Sequence, residues 1–449
     1  MTFHQRRLER PLRVAVIGAG ISGMSAAWLL SRRHDVTVYE AQGKAGGHSN
    51  TVDATTADGR TTPVDTGFIV YNPPNYPNLT ALFDHLGVPT KPAPMSFAVS
   101  LDEGALEYGT TGLGALFGQP ENLIRPRFWS MLGDLVRFQR DAVHDLDAVC
   151  RQGLSLGDYL SSRGYGAAFR NDHILPQAGA IWSATLSDIA EHPAEAFIRF
   201  FDNHGLLSLT ARPQWRTVDG GSRAYVQRLT AAYADRVRTG CAVTGIGRVE
   251  GDVLVRDATG RIERYDQVVI ACHADQALRL LEDPSAEETR ILGAFRYTPN
   301  RAVLHTDVAL MPRRRATWSA WNYLGTRDGG GSVTYWMNAL QSLPGDPLLV
   351  SLNPLIEPAA ETVLWSHEYE HPLFDLGAMI AQRELWSLQG KGGTWFCGAY
   401  FGSGFHEDGL QAGLAVAEAL GGVRRPWRVE NESGRIFLGP APAEVEVRS

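Results

Sequence analysis

Apolar runs and glycine-rich turns alternate from the start of the chain. A run of strand length, Val14-Ala15-Val16-Ile17, stops at Gly18, and helical spacing follows through Met24, Ala27, Trp28 and Leu30. A second strand pattern, Val36-Thr37-Val38-Tyr39, closes on Glu40. The pattern predicts a β-α-β unit. Further on, Asn78 caps a short helix through Leu79, Leu82, Phe83 and Leu86 that Gly87 ends, and a strand-like run at 63–71 is interrupted by Gly67. A strand at 95–101 has a hairpin partner at 106–108, and helices follow at 127–150, 155–163 and 165–177. The pattern then predicts a helix at 225–232, a hairpin of 253–255 with 262–265, and an apolar parallel-type strand at 266–272. Antiparallel strands are expected at 301–306, 316–324 and 332–338, and a strand, a glycine-rich turn and a helix at 393–421.

A chain of 449 residues exceeds one ordinary core. The return of a parallel-type strand at 266–272 implies a discontinuous domain of residues 1–72, 205–290 and 385–449. Segments 73–204 and 291–384 are then insertions that form a second domain of helices plus antiparallel sheet.

The glycines carry the first chemistry. Gly18, Gly20 and Gly23 stand at G-x-G-x-x-G spacing, with Ile21 and Ser22 opening the helix and Glu40 placed for a ribose. In this pattern Gly18 permits the tight turn, Gly20 lets backbone approach a pyrophosphate, and Gly23 brings helix and strand together. Two more glycine turns follow, Gly46-Gly47 directly after the acid-bearing strand and a third within 398–409. Three such turns suit an extended dinucleotide, FAD, better than NAD.

Composition narrows the rest. The formal charge of −7 gives no electrostatic case for nucleic acid. No stretch approaches the roughly 20 apolar residues of a membrane span, and the charged first ten residues lack the apolar core of a secretion signal. Cys150, Cys241, Cys272 and Cys397 are scattered, as in a reducing, cytoplasmic setting. His173, His192 and His204 lack ligand spacing, so no metal is expected. Arg127, Arg137 and Arg140 lie on an amphipathic helix, for which a core-facing role outweighs a membrane-surface one.

The N-terminal fingerprint through Glu40, then Gly46-Gly47, Asp65-Thr66-Gly67 and Gly398 with Gly404-Phe405-His406-Glu407 occur in the order of the flavin amine oxidase superfamily, which the sequence resembles. That group includes monoamine oxidases, protoporphyrinogen oxidase and phytoene-desaturase-type enzymes. More narrowly, Val64-Asp65-Thr66-Gly67-Phe68-Ile69-Val70-Tyr71-Asn72, Pro213-Gln214-Trp215-Arg216-Thr217-Val218 and the run from Gly404 to Leu410 resemble a bacterial subgroup of predicted NAD/FAD-binding oxidoreductases. The resemblance implies an α/β fold, a Rossmann-like FAD-binding domain of glutathione-reductase type with an inserted α+β substrate domain. It assigns FAD contacts to Gly18, Gly20, Ile21, Ser22, Gly23, Glu40, Ala41, Gly46, Gly47 and His48. It assigns further contacts to Thr66, Gly67, Phe68, Val243, Gly398, Ala399, His406 and Glu407. His48 replaces the usual arginine, Ala399 replaces an acid, and the flavin-side lysine of monoamine-oxidase-type enzymes has no counterpart in context. No cysteine in the last turn could tether the cofactor, so FAD is expected to be noncovalent.

What the resemblance implies about activity is hydride transfer from a C–H bond of an apolar substrate to flavin N5, a dehydrogenase or desaturase acting on a modified fatty acyl or phospholipid acyl chain. His406 is expected beside the isoalloxazine, with Tyr400 and Trp336 in the cavity wall and the helix opening at Glu407-Asp408 aimed at the flavin O2 edge. Two rivals stay open. One is an amine oxidase producing imine and hydrogen peroxide; the other is a flavin-binding partner protein without turnover. A lipid substrate predicts peripheral contact with the inner face of the cell membrane, through the 127–140 helix or the loop Pro312-Arg313-Arg314-Arg315.

Overall fold

A computed structural model describes residues 10–57, 59–182, 185–207, 213–249, 251–327, 330–421 and 423–439. All but the last of the ten N-terminal residues lie outside that set.

The β-α-β pattern folds as its spacing predicts. Strand Arg13–Ile17 pairs in parallel with Asp35–Tyr39 on one side and Gln267–Ile270 on the other; Thr394–Phe396 and Val237–Arg238 complete a five-stranded parallel sheet. Three of its five strands, Val237–Arg238, Gln267–Ile270 and Thr394–Phe396, are thus supplied by chain regions far from the first β-α-β unit. Helix Ile21–Leu30 is buried along its whole length, because the helix His406–Gly421 covers it. Glycines permit that contact: a Cβ on Gly409 would come within 2.8 Å of Ser22 Oγ. A three-stranded antiparallel meander, Val243–Val249, Asp252–Asp257 and Ile262–Tyr265, sits beside this domain.

The second sheet has seven strands, in the order Val363–Leu373, Arg296–His305, Leu349–Leu352, Gly331–Trp336, Trp321–Gly325, Phe97–Leu101 and Leu106–Gly109. Its strands run antiparallel except that Trp321–Gly325 lies parallel to Phe97–Leu101. This differs from the all-antiparallel expectation because the two strands come from separate insertions and meet without a hairpin. Residues 316–320 are not strand; a 3₁₀ turn at Arg315–Thr317 precedes it. The run at 63–71 likewise stops at Asp65, and Thr61–Asp65 pairs instead with Thr51–Thr55 in a hairpin that the sequence pattern did not reveal.

Helices Pro126–Asp141, Leu146–Gln152, Leu156–Ser162, Leu175–Trp182 and Ala194–Asn203 form a third layer with its own core around Phe138, Tyr159, Phe169 and Phe197. Two expected boundaries shift. Leu79, Leu82 and Phe83 of the helix Pro77–Leu86 pack in the dinucleotide core, so residues 73–92 do not belong to the insertion. Ala378, Ala381 and Leu385 do the same at the other end, ahead of the expected boundary at 385. In both places an apolar helix face finds the nearer core. No described helix is long and apolar enough to cross a membrane.

Candidate active site

The three glycine turns converge on one elongated cavity of about 820 Å³ between the two sheets and the helical layer. At one end the turn after Ile17 feeds the helix Ile21–Leu30. Gly18 holds φ +102°, a left-handed conformation that favours glycine. Gly20 caps the helix with no side chain, and a Cβ built there would meet nothing within 4 Å. Gly23 differs: its Cβ would overlap the Gly18 carbonyl oxygen. One glycine therefore serves packing, and the other leaves open space in front of unpaired helical N–H groups.

Glu40 stands at the same end. Its Oε2 accepts from the Ala19 N–H and its Oε1 from the Gln42 N–H, both at 2.8 Å. These bonds fix the carboxylate and leave each oxygen a further lone pair. Ala41, Ala242 and Val243 line the cavity beside it. Gly47 closes the turn against Gly20, with φ +56° and a Cβ position 3.1 Å from the Gly20 Cα.

Midway, Thr66, Gly67 and Phe68 face Gly398, Ala399 and Tyr400. His48 is half-buried at the cavity wall, its ring 4.8 Å from that of Tyr369 and 5.5 Å from that of His371. Burial, with neighbouring His371 and His273, pushes its pKa well below the usual imidazole value, so it is neutral. Where the resemblance implies an arginine, this chain presents an uncharged ring. The buried Nε2 of His48 and hydroxyl of Tyr400 have no hydrogen-bond partner among the described residues. Buried polar atoms at a cavity wall ask for a ligand's donors and acceptors.

His406, the first residue of its helix, also reaches the cavity. Its ring stacks on Phe68 at 4.0 Å, and its Nε2 lies 2.7 Å from the Tyr225 hydroxyl and 3.3 Å from the Ser49 hydroxyl. Desolvation holds its pKa down to about 3, so the imidazole is neutral.

Of the site residues expected from sequence, the cavity therefore brings together Gly18, Gly20, Ile21, Ser22, Glu40, Ala41, Gly47, His48, Thr66, Gly67, Phe68, Val243, Gly398, Ala399, Tyr400 and His406. Four expected residues lie elsewhere. Gly23 lies within the helix Ile21–Leu30, on the side packed against the Gly18 carbonyl. Gly46 shapes its turn, donating its N–H to the Ala19 carbonyl at 2.8 Å. Glu407 points away from the cavity; its carboxylate accepts from the N–H groups of Asn78 (3.1 Å) and Leu79 (2.9 Å) and from the Asn78 amide (2.9 Å). It caps a neighbouring helix start, where negative charge is favoured. Trp336 is on the wrong face of its strand: strand alternation turns Tyr335 into the cavity and Trp336 outward, against Trp318.

Several lining residues were not anticipated. Ala271, Cys272 and His273 follow the strand Gln267–Ile270 and close over Gly18. Strand Val363–Leu373 contributes Tyr369, Glu370, His371 and Pro372 to the lining, and its Trp365, His367 and Tyr369 rings follow one another at period two, a pattern legible in the sequence once the strand is known. At the far end, Trp182, Phe200, Phe201 and His204 from the helical layer meet Phe97, Trp321 and Tyr335 of the large sheet.

The cradle fits the diphosphate and ribityl parts of FAD: open space at Gly20, a fixed acid at Glu40, and unpartnered polar atoms at His48 and Tyr400. The model of one family, described as flavin containing amine oxidoreductase, matches residues 21–338. The chain belongs to that family. It is an FAD-dependent oxidoreductase, with FAD as its noncovalent cofactor. A search of curated proteins found no match. Solved structures of like fold include wild-type putrescine oxidase bound to putrescine (16% identity, TM-score 0.63, covering 91% of this chain and 99% of that one). Cyclohexylamine oxidase from Brevibacterium oxydans IH-35A is similar at 18% identity and TM-score 0.62, over 91% of this chain and 99% of its own. A CLA-producing fatty acid isomerase from P. acnes is similar at 14% identity and TM-score 0.63, over 91% and 98%. At these identities the likeness is one of fold.

Proposed function

We propose that this oxidoreductase dehydrogenates an uncharged, largely apolar substrate, a fatty acyl or phospholipid acyl chain. One observation carries the reading. Among the described lining residues the charged ones are Glu40, Arg279 and Glu370, and all three stand on the dinucleotide side, beside the Rossmann strands or the helix Ala274–Leu280. The opposite half is mainly aromatic and aliphatic, with Ser96, Thr110, Gln139, His173, Gln177 and His204 as its polar members. Of its two histidines, His204 is held neutral, its pKa lowered to about 4 by burial. An ammonium group there would be desolvated with no carboxylate to meet it, a cost of several kcal/mol (roughly) that an acyl chain does not incur.

Bound FAD supplies the hydride-accepting chemistry. The protein's own part is positioning and exclusion. Trp182, Phe200, Phe201 and Tyr335 hold an extended apolar chain and keep water out. His406 presents a neutral ring nitrogen, fixed by Tyr225, where polarity without charge is needed. The fatty acid isomerase of like fold acts on a substrate with the chemistry this cavity favours.

The test is anaerobic titration of the FAD-loaded protein, following the visible flavin band. Bleaching by phospholipid but not by putrescine or cyclohexylamine is expected. Bleaching by an amine would overturn the reading, and bleaching by neither would favour a flavin-binding protein without turnover.

A further inference from the structure

We propose that the segment 113–129, the outer side of the helix Pro126–Asp141 and the loop 312–315 form one face that docks on a lipid bilayer carrying anionic headgroups. Four large apolar side chains stand out there: Ile124 is 84% exposed, Leu113 75%, Leu123 54% and Trp129 51%. They are neighbours, not scattered singles. The Trp129 indole N–H donates to the Leu123 carbonyl at 3.0 Å, and the ring of Phe117, one residue beyond the short helix Leu113–Leu116, lies 5.7 Å from that of Trp129. Contiguous exposed apolar surface marks an interaction site.

The arginines around it come from two distant stretches. Arg125 Nη1 donates to the Ala105 carbonyl at 2.7 Å, and Arg314 Nη1 donates to the adjacent Gly104 carbonyl at 3.1 Å. The tip of the hairpin Phe97–Leu101/Leu106–Gly109 thus draws both basic stretches together. Thr317 Cγ2 lies 2.8 Å from where a Gly118 Cβ would be, so the loop also abuts the apolar segment. Arg137 and Arg140 extend the face along the helix, paired with Asp134 and Asp141. Arg140, with its side chain 70% exposed, is in a pair worth little that can exchange a carboxylate for a phosphate, whereas Arg137 is also held by the Arg163 and Gly164 carbonyls.

A bilayer matches this mixture of chemistry better than the alternatives. It offers phosphate to arginine, an interfacial zone to tryptophan and hydrocarbon to Ile124 and Leu123. A second copy of the same face would set arginine against arginine. Placement adds a reason. Leu135, Phe138 and Gln139, on the other side of the helix Pro126–Asp141, line the cavity. One helix therefore separates the docking face from the substrate end of the site. In that respect the inference rests on the apolar-substrate reading; its test does not.

The experiment is co-sedimentation of the FAD-loaded full chain with vesicles of phosphatidylcholine alone or mixed with phosphatidylglycerol. Binding to the mixed vesicles, weakened by salt, is expected. The double variant Ile124→Glu/Trp129→Glu should lower the bound-to-free ratio by about a hundredfold, since each lost apolar insertion is worth about tenfold. Its flavin spectrum should be unchanged, which shows that it folds. No binding to either vesicle overturns the proposal, as does equal binding by the variant. A wild-type dimer that the double variant converts to monomer, with vesicle binding unaltered, would make this a self-association face and overturn it as well. Bleaching of the flavin by a soluble amine would defeat the substrate reading and leave the vesicle result standing.

Discussion

The Tyr225 hydroxyl lies 2.7 Å from Nε2 of His406, joining the helix Arg223–Thr230 to the first residue of the helix His406–Gly421. Burial keeps Tyr225 protonated and His406 unprotonated, so a neutral pair faces the cavity. Tyr225→Phe removes the hydroxyl's bonds to His406 and to Ser49 and should cost about 1–3 kcal/mol of stability, two buried neutral hydrogen bonds. Because the imidazole nitrogen, left with Ser49 as its partner, stands at the flavin cradle, the visible spectrum of the holoprotein should also shift. Thermal melting and absorbance read the two effects; an unshifted spectrum in Tyr225→Phe and in His406→Ala would place the pair away from the isoalloxazine.

Two glycines three residues apart should fail in different ways. Gly20→Val places its side chain in space that the protein leaves empty, on backbone of ordinary φ −74°, so the apoprotein should melt near the wild-type temperature and fail to retain FAD. Gly23→Ala drives a methyl into the Gly18 carbonyl and should destabilise the domain by about 1–3 kcal/mol, the cost of overpacking. Calorimetry with and without added FAD separates them. FAD retention by Gly20→Val would refute the assignment of that space.

Stability should fall on acidification from pH 6.5. Burial lowers His192, His204, His305 and His371 to about 4 and His406 to about 3. The unfolded chain binds those protons near pH 6.5 and the folded chain does not, so this stability is complete above pH 6.5. It is lost progressively as pH falls toward 4, by about 1.4 kcal/mol per pH unit for each histidine at most. Asp65, raised to about 6 by burial, works in the opposite sense, and Glu407 and Asp408 are raised too. The histidines outnumber them, so the melting temperature at pH 5 should lie several degrees below that at pH 7.5. A melting temperature that rises toward pH 5 would contradict this.

Glu407→Gln tests whether this acid serves structure or cofactor. Its carboxylate accepts from two consecutive backbone N–H groups at the start of the helix Pro77–Leu86 and from Gln411 at 2.9 Å. The amide would turn an NH₂ toward donors, at a cost of about 2 kcal/mol. The melting temperature should drop while the flavin spectrum stays the same.

Adjacent aromatic residues should also behave differently. Tyr335→Ala removes part of the cavity wall and should raise KM for an apolar substrate severalfold, whereas Trp336→Phe, against Trp318 on the other face, should leave KM unchanged. Steady-state kinetics with the substrate found by flavin bleaching decides between them.

The dinucleotide end was legible because its chemistry is local. Gly18 to Glu40 lie within one β-α-β unit, where spacing alone dictates which glycine faces a phosphate. The substrate end is built otherwise. Tyr335 and Phe200 reach the same cavity from different insertions, and no local pattern in either segment points to the other. Tyr335 and Trp336 show how narrow the margin is, since strand phase decides the wall and a neighbour in sequence was the wrong choice. Glu407 was misplaced for a related reason. Helix-start position suggests an anion partner at its own helix, but the carboxylate caps another helix that sequence separates by more than three hundred residues.

Helix Ile21–Leu30 has no solvent-exposed face: all ten of its residues are buried, and much of its cover is the helix His406–Gly421. During synthesis this apolar helix must therefore wait for residues 406–421 before it can be enclosed. Everything between, both insertions included, emerges while that surface is still open. Slow, late closure of this kind exposes a chain to self-association and to chaperones. Truncation just before residue 406 would remove the cover itself, leaving the phosphate cradle attached to a helix that water cannot accommodate.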